Sequence, residues 1–312
     1  MEFDVPTPET RPLYRGRFAP SPTGPLHFGS LIAAVGSYLQ ACTRQGEWWL
    51  RIEDIDPPRE VPGAADTIRR QLEAFGFVWD RYLHQSDNQE IFEALLKELR
   101  QTGAAYPCGC SRKSIIARTG QASHYPGTCR EGLGAGVRPR SWRIRTSEEA
   151  IVFDDPIQGR ITTRLDEQGG DFILKRADGL IAYQLAVAAD DAMQGMTEVV
   201  RGRDLMDSTP RQLHVQQMLG LDSPRYTHLP VALNARGTKL SKQSGAPALD
   251  PTQPSRPLWQ ALAFLGQQPP PELGEAPPAE IWQWAEANWS LAQVPRAVPR
   301  SIEEFCQTAD NP

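Results

Sequence analysis

Apolar positions along this chain fall into two alternating patterns. Short runs with every residue or every second residue apolar predict strands, and stretches with a three-to-four-residue period predict helices. A short extended segment ending at Arg17-Phe18 runs into a proline-rich loop, and the apolar run Leu31 to Val35 predicts a helix over about 28–45. Glu47 to Asp54 reads as a buried strand that ends in acids and is stopped by Pro57-Pro58. Ala64 to Phe75 (Ile68, Leu72, Phe75) and Glu90 to Arg100 (Ile91, Leu95, Leu96, Leu99) carry helical spacing, with a short strand expected within Phe77 to Leu83. This alternation predicts a parallel, doubly wound α/β sheet.

At Ala104 the character changes. Trp142 to Arg145 and Ile151 to Thr163 are rich in β-branched and aromatic residues and read as strands, the latter folded back at Asp154 to Gly159. Asp171 to Arg176 and Ala177 to Gln184 predict a hairpin-like pair around an Asp-Gly turn, followed by a helix over Leu185 to Met193. The strand–helix alternation then resumes with Thr197 to Leu205, Thr209 to Leu219 and Tyr226 to Leu233. From Pro251 the chain is proline-rich, with helical patches at Leu258 to Leu265 and Ile281 to Leu291; Trp282, Trp284 and Trp289 there read as core rather than as a stacking platform. The expected organisation is a first half of a Rossmann-like sheet at 14–103, an inserted α+β subdomain at 104–182, the second half at 183–235, and a loop with a short helical region at 236–312.

Composition adds bounds. With 312 residues, 40% hydrophobic and 23% charged, the chain is that of a soluble globular protein. The start MEFDVPTPET lacks a basic stretch followed by an apolar one, and no run of about 18 apolar residues occurs. A cytoplasmic location without membrane contact is expected, and no interface pattern argues against a monomer. A net charge of −5 gives no global case for nucleic acid. Locally, however, Arg112, Lys113, Arg118, Arg130, Arg138, Arg140, Arg143 and Arg145 stand against the single acid Glu131. That basic module is a candidate polyanion contact or a solvated loop. Cys108, Cys110 and Cys129 form a C-x-C followed, after eighteen intervening residues, by a third cysteine, which points to tetrahedral zinc in a reducing compartment. For the fourth ligand, chemistry alone puts His124 ahead of Tyr125, because imidazole binds zinc far more often than phenolate does.

Candidate chemistry gathers where strands end. In Arg17-Phe18-Ala19-Pro20-Ser21-Pro22-Thr23-Gly24-Pro25-Leu26-His27-Phe28-Gly29-Ser30 the prolines force extended backbone, Gly24 permits a turn, and a helix start offers unpaired N–H groups to phosphate. His27 could bond a phosphate oxygen and Gly29 could admit a base or ribose, although a lone His-x-Gly is also an ordinary surface loop. Glu53, Asp54 and Asp56 follow the second strand at its carboxyl edge, where ligands sit in α/β sheets. Arg201 ends a later strand, as a carboxylate or phosphate fork or as a partner of Asp204. Lys239 and Lys242 lie three apart in a polar loop that is either plain surface or a clamp on phosphate.

Taken together, the Pro20 to Ser30 stretch and Lys239-Leu240-Ser241-Lys242-Gln243 resemble the two signature motifs of class I aminoacyl-tRNA synthetases. The version beginning Arg-Phe-Ala-Pro-Ser-Pro-Thr-Gly is similar to that of glutamyl-tRNA synthetases, as is Arg201-Gly202-Arg203-Asp204. Only 69 residues follow Gln243, fewer than an anticodon-binding region needs, so the chain resembles the shortened family of glutamyl-Q tRNA(Asp) synthetases. That resemblance implies ATP-dependent activation of L-glutamate, with Mg2+, and its transfer to queuosine in the anticodon of tRNA(Asp). It implies glutamate binding by Arg17, Ala19, Ser21, Glu53, Tyr183 and Arg201. It implies ATP binding by His27, Gly29, Ser30 and Lys242, with His27, Lys239 and Lys242 in catalysis. It also implies one structural zinc on Cys108, Cys110, Tyr125 and Cys129, which moves the fourth ligand from His124 to Tyr125. Ser30 and Gln243 depart from the class motifs, which have histidine and serine there. The competing readings are a compact glutamyl-tRNA synthetase that charges tRNA(Glu) with a partner, and a non-catalytic tRNA-binding module.

Overall fold

A computed structural model describes residues 13–233 and 247–296. Its centre is a parallel arrangement of five short strands. β1 (Arg15–Phe18), β2 (Glu47–Ile52) and β3 (Arg81–His84) pair in that order, and β10 (Arg225–Leu229) pairs with β9 (Glu198–Gly202). The Thr197 N–H donates to the Arg15 carbonyl at 2.9 Å and sets β9 beside β1, giving the order β10-β9-β1-β2-β3. Helices α1 (Phe28–Cys42), α2 (Ala64–Ala74), α3 (Gln89–Gln101), α5 (Tyr183–Met193) and α6 (Thr209–Met218) supply the crossovers. Every strand of this arrangement delivers its carboxyl end to one edge, and there the chain places its loops.

Between α3 and α5 the pairing turns antiparallel. β4 (Ala105–Cys108), β5 (Ser141–Ile144) and β8 (Ile173–Lys175) form one sheet, and β6 (Ala150–Asp155) pairs with β7 (Gly159–Arg164) as a hairpin. Helix α4 (Arg112–Thr119) is capped by Ser111, whose hydroxyl accepts the Ser114 N–H at 3.1 Å. The expected second arm of a hairpin over 177–184 is reduced to one bridge between Lys175 and Ile181. Tyr183 and Gln184 open helix α5 instead, so the predicted start at Leu185 is two residues late. The strand expected within 77–83 is shifted to Arg81–His84, because Phe77 turns its ring into the core before the strand begins.

That core is aromatic. Tyr38, Trp48, Phe77 and Trp282 meet with ring centroids 4.8 to 5.5 Å apart. Trp282, on α8 (Pro278–Asn288), also donates its indole N–H to the Phe75 carbonyl at 2.9 Å. Together with α7 (Ser255–Phe264) packed on α1, this fastens the proline-rich region to the sheet, as the core reading of the tryptophans requires. Among the described residues no helix is long and apolar enough to cross a membrane.

Candidate active site

The loop after β1 closes over the carboxyl edge. Gly24 adopts φ +128°, a backbone that only glycine holds without strain, and Glu53 N–H donates to the Pro20 carbonyl at 3.0 Å. His27 is the N-cap of α1 rather than a residue of its first turn, and its ring accepts the Ser30 N–H at 3.3 Å. Gly29 and Ser30 lie in that first turn and are half-buried, as is Ala19, while Ser21 is exposed. Lys239 and Lys242 lie outside the described residues. The chain is next described at Pro247, and Ala248 bridges to His27 while Leu249 N–H donates to the Leu26 carbonyl at 2.9 Å.

Behind the loop is a buried lattice of charge. The register pairs Arg17 with Trp49, so Arg51, two residues on, shares its face of the sheet and points with it toward α5. Asp191 on α5 receives both: Arg17 through Nε and Nη2 at 3.1 and 3.0 Å, Arg51 through Nη2 at 2.8 Å. Burial pushes the Asp191 carboxyl up, but Arg17 and Arg51 outweigh it and hold it down at about 2. Glu53 gets less help from the same two arginines. Its Oε1 stands 3.6 Å from Arg51 Nη2 and accepts no hydrogen bond, and burial, only partly offset by Arg51 and Arg17, pushes its carboxyl up to about 7.

Arg201, at the end of β9, carries a complementary unpaired donor. Its Nη2 donates to Thr209 Oγ1 at 2.8 Å and its Nε to His228 Nε2 at 3.4 Å, while Nη1 is buried without a hydrogen-bond partner. Burial pushes the Tyr183 phenol up to about 12, with the Glu53 carboxylate raising it further and Arg201 and Arg17 pulling the other way. One phenol therefore feels all three charged groups. An unsatisfied carboxylate oxygen and an unsatisfied guanidinium nitrogen on one site suit a ligand with an ammonium and a carboxylate. Asp54 and Asp56 do not join it. Asp54 accepts from His84 and Ser86 at 2.8 to 2.9 Å, and Asp56 is paired with Arg59 and Arg176. An open groove of about 510 Å³ lined by Lys97, Arg100, Trp142 and Arg145 is made from other residues altogether.

The three cysteines converge as their spacing predicts. The sulfurs of Cys108, Cys110 and Cys129 lie within 4.8 Å of one another, with Cys110 and Cys129 at 3.7 Å. Tyr125 is buried and its hydroxyl oxygen stands 3.4 Å from Cys108 Sγ, while also accepting the Cys129 N–H at 2.9 Å. A tetrahedron with metal–sulfur bonds of about 2.3 Å and a metal–oxygen bond of about 2.0 Å has edges of about 3.8 and 3.5 Å, so the donor set fits. Burial opposes ionisation of Cys108, yet hydrogen bonds from Tyr125 and the Cys110 N–H, with Arg143 beside it, hold its thiol below the ordinary value. Arg143 lies 3.8 Å over the Tyr125 ring and donates to the Asp171 carbonyl, and Arg130 pairs with the Asp171 carboxylate. Arg145 donates to backbone carbonyls of Gly103 and Arg130. Three of the eight basic residues are thus structural, and Arg112, Lys113, Arg118, Arg138 and Arg140 remain exposed.

Comparison with known proteins decides the kinship. The family model for the catalytic domain of class I tRNA synthetases (E and Q) matches residues 14–256. The glutamyl-Q tRNA(Asp) synthetase of Dechloromonas aromatica is 53% identical over 289 residues, covering 91% of this chain and 96% of that protein. The chain belongs to the glutamyl-Q tRNA(Asp) synthetase family. Its namesake from Chromobacterium violaceum is 55% identical over 287 residues, again covering 91% and 96%. Among solved structures, a glutamate tRNA ligase from Elizabethkingia meningosepticum, crystallised in complex with its amino acid, superposes with a TM-score of 0.78. It is 25% identical, and the match covers 95% of this chain and 68% of that one.

Within this glutamyl-Q synthetase family member, the structure draws together Arg17, Glu53, Tyr183 and Arg201, and separately Cys108, Cys110, Tyr125 and Cys129. It also reveals partners that the motifs do not name: Arg51, Asp190, Asp191, Asp155, Thr209 and His228. Three of these left a signal in the sequence. Arg51 interrupts the apolar strand Trp48-Trp49-Leu50-Arg51-Ile52, and Asp190-Asp191 interrupts the apolar helix. A charge at a core position requires a buried counter-charge.

Proposed function

We propose that the protein activates L-glutamate with ATP and transfers the glutamyl group to queuosine in the anticodon of tRNA(Asp). What carries the reading is the pair of unsatisfied buried atoms, Glu53 Oε1 and Arg201 Nη1, in a member of this family. In this assignment Glu53 holds the ammonium of glutamate, Arg201 Nη1 and the edge of Arg17 turned away from Asp191 take its carboxylates, and the Tyr183 hydroxyl adds a hydrogen bond. Ala19 and Ser21 line the loop. An oxygen of the α-carboxylate attacks the α-phosphorus of ATP, the bond to pyrophosphate breaks, and glutamyl-adenylate forms. A hydroxyl of the queuosine cyclopentenediol then attacks the adenylate carbonyl and displaces AMP. The helix start offers the Gly29 N–H, the His27 ring and the Ser30 hydroxyl to ATP phosphate, with Mg2+ accompanying the nucleotide. Lys239 and Lys242 stabilise the leaving pyrophosphate; the return of Ala248 to His27 supports this, since it anchors the chain beyond the lysine segment at the first motif.

Zinc is assigned to Cys108, Cys110, Cys129 and Tyr125, where the 3.7 Å between the Cys110 and Cys129 sulfurs and the 3.4 Å between Cys108 Sγ and the Tyr125 hydroxyl are close to tetrahedral edges. Bound there, it supplies a structural cross-link beneath the loop that bears the exposed basic residues. The protein's organisation into two sheet halves around an inserted subdomain follows from the same reading. Amino-acid-dependent ATP–pyrophosphate exchange tests the first step. Glutamate should support exchange and aspartate and glutamine should not; equal exchange with glutamine would contradict the carboxylate assignment of Arg201 and Arg17.

A further inference from the structure

Arg201 differs from Arg17 and Arg51 in what holds it. Arg17 and Arg51 are tied to the Asp191 carboxylate at 3.0 and 2.8 Å. The hydrogen bonds of Arg201 instead run to neutral groups: Thr209 Oγ1 at 2.8 Å, His228 Nε2 at 3.4 Å and the Leu205 carbonyl at 3.5 Å. Neutral acceptors orient a guanidinium without cancelling its charge, which stays available to a ligand carboxylate.

The groups behind these acceptors form a closed chain. His228 Nδ1 lies 2.7 Å from Asp155 Oδ2, and the same oxygen accepts the His228 backbone N–H at 2.8 Å. Thr209 Oγ1 lies 2.9 Å from His228 Nε2. Asp155 ends β6, at the tip of the hairpin, where its other oxygen accepts the N–H groups of Ile157 and Gln158, both at 2.8 Å. Gln158 adds a bond from its side chain to the His228 carbonyl at 2.9 Å. The hairpin from the inserted region is therefore locked to β10 beside Arg201. Burial works against ionisation of Asp155, but the hydrogen bonds from His228, Gln158 and Ile157 hold its carboxyl below the ordinary value; burial, with Arg201 alongside, lowers His228 against the pull of its bond to Asp155.

Proton assignment then has one solution. An ionised carboxylate only accepts, so Nδ1 of His228 carries the proton and Nε2 is left as an acceptor. Nε2 receives the Thr209 hydroxyl proton and faces the Arg201 Nε–H, and the Thr209 oxygen receives the Arg201 Nη2–H. We propose that Asp155, His228 and Thr209 are positioning residues for Arg201: they fix the imidazole tautomer, clamp the Nε and Nη2 side of the guanidinium, and present Nη1 to the substrate carboxylate. Through Asp155, the β6–β7 hairpin sets amino-acid affinity. The identity of that carboxylate rests on the glutamate reading above; the clamp itself does not.

The test uses the full chain with Thr209→Val, Thr209→Ser and Asp155→Asn. Thr209→Val keeps the buried volume and removes the hydroxyl, so folding, checked by thermal melting, is preserved. In ATP–pyrophosphate exchange, Thr209→Val and Asp155→Asn should raise the KM for glutamate tenfold or more and leave the KM for ATP within twofold. Thr209→Ser, which restores the hydroxyl, should recover most of the loss. Nitrogen-15 NMR should find His228 as the Nδ1–H tautomer in the wild type and as a mixture in Asp155→Asn. An unchanged glutamate KM in folded Thr209→Val and Asp155→Asn, or an Nε2–H tautomer in the wild type, overturns the proposal. If the wild type activates no glutamate, the functional reading fails by itself and the tautomer comparison still decides the clamp: Nδ1–H lost in Asp155→Asn supports it, Nε2–H in the wild type overturns it.

Discussion

Replacing Glu53 by glutamine should strengthen the fold and weaken the enzyme in one step. Without ligand the Glu53 carboxyl is held at about 7 by burial, against an ordinary value of 4.5. That difference corresponds to about 3 kcal/mol. The sign follows from which form the folded state prefers. A raised folded-state value means that the folded protein favours the protonated form, so below pH 4.5 the group costs nothing. Between 4.5 and 7 the unfolded chain releases its proton first and stability falls as pH rises. Above 7 the full cost is present. Glu53→Gln removes it, so urea unfolding of the ligand-free protein at pH 8 should show a gain of up to about 3 kcal/mol that is largely lost at pH 5. The same change deletes the ammonium contact, a hydrogen bond between charged groups worth about 1.5–3 kcal/mol, and should raise the glutamate KM roughly ten- to a hundredfold. In the wild type, the glutamate KM should fall as pH rises from 6 to 8 and Glu53 ionises. A variant that is no more stable at pH 8, or that keeps its glutamate KM, would refute the assignment of Glu53 as an incompletely compensated acid awaiting a cation.

Further outcomes can be checked separately. Metal analysis should give one zinc per chain; Cys108→Ala should abolish it, Tyr125→Phe should weaken it, and His124→Ala should leave it bound. Lys242→Ala should lower ATP–pyrophosphate exchange about a hundredfold, the cost of about 3 kcal/mol expected for one lost contact to developing charge. Binding of tRNA should weaken steeply between low and moderate salt, and replacing Arg138 and Arg140 by glutamine should flatten that slope by about two counterions. A slope unchanged in that variant excludes these two residues from the RNA contact.

The elements that periodicity specifies were legible in the sequence, and so was the strand-end edge at which the candidate residues gather. Strand ends that carry charge after an apolar run, such as Arg51-Ile52-Glu53 and Val200-Arg201, can only be ligand-facing or internally paired, and the structure contains both kinds. What the pattern could not tell is which residue is which. Arg17 and Arg51 are indistinguishable from Arg201 until α5 brings Asp191 against two of the three. That pairing spans 174 residues of sequence for Arg17 and leaves no local trace. The Asp-Gly turn predicts a strand that runs through Tyr183, whereas the pairing beside β8 ends at a single bridge and Tyr183 starts a helix. The basic cluster over 111–146 illustrates the same limit. Counting charge could not separate Arg130, Arg143 and Arg145, which brace Asp171, Tyr125 and backbone carbonyls, from the five that face solvent.

The central claim concerns the acceptor. The most direct measurement is transfer of radiolabelled glutamate, with ATP, to three RNAs: tRNA(Asp) containing queuosine, tRNA(Asp) lacking it, and tRNA(Glu). The account predicts label on queuosine-containing tRNA(Asp) alone. Label on tRNA(Glu), or on tRNA(Asp) without queuosine, would contradict it.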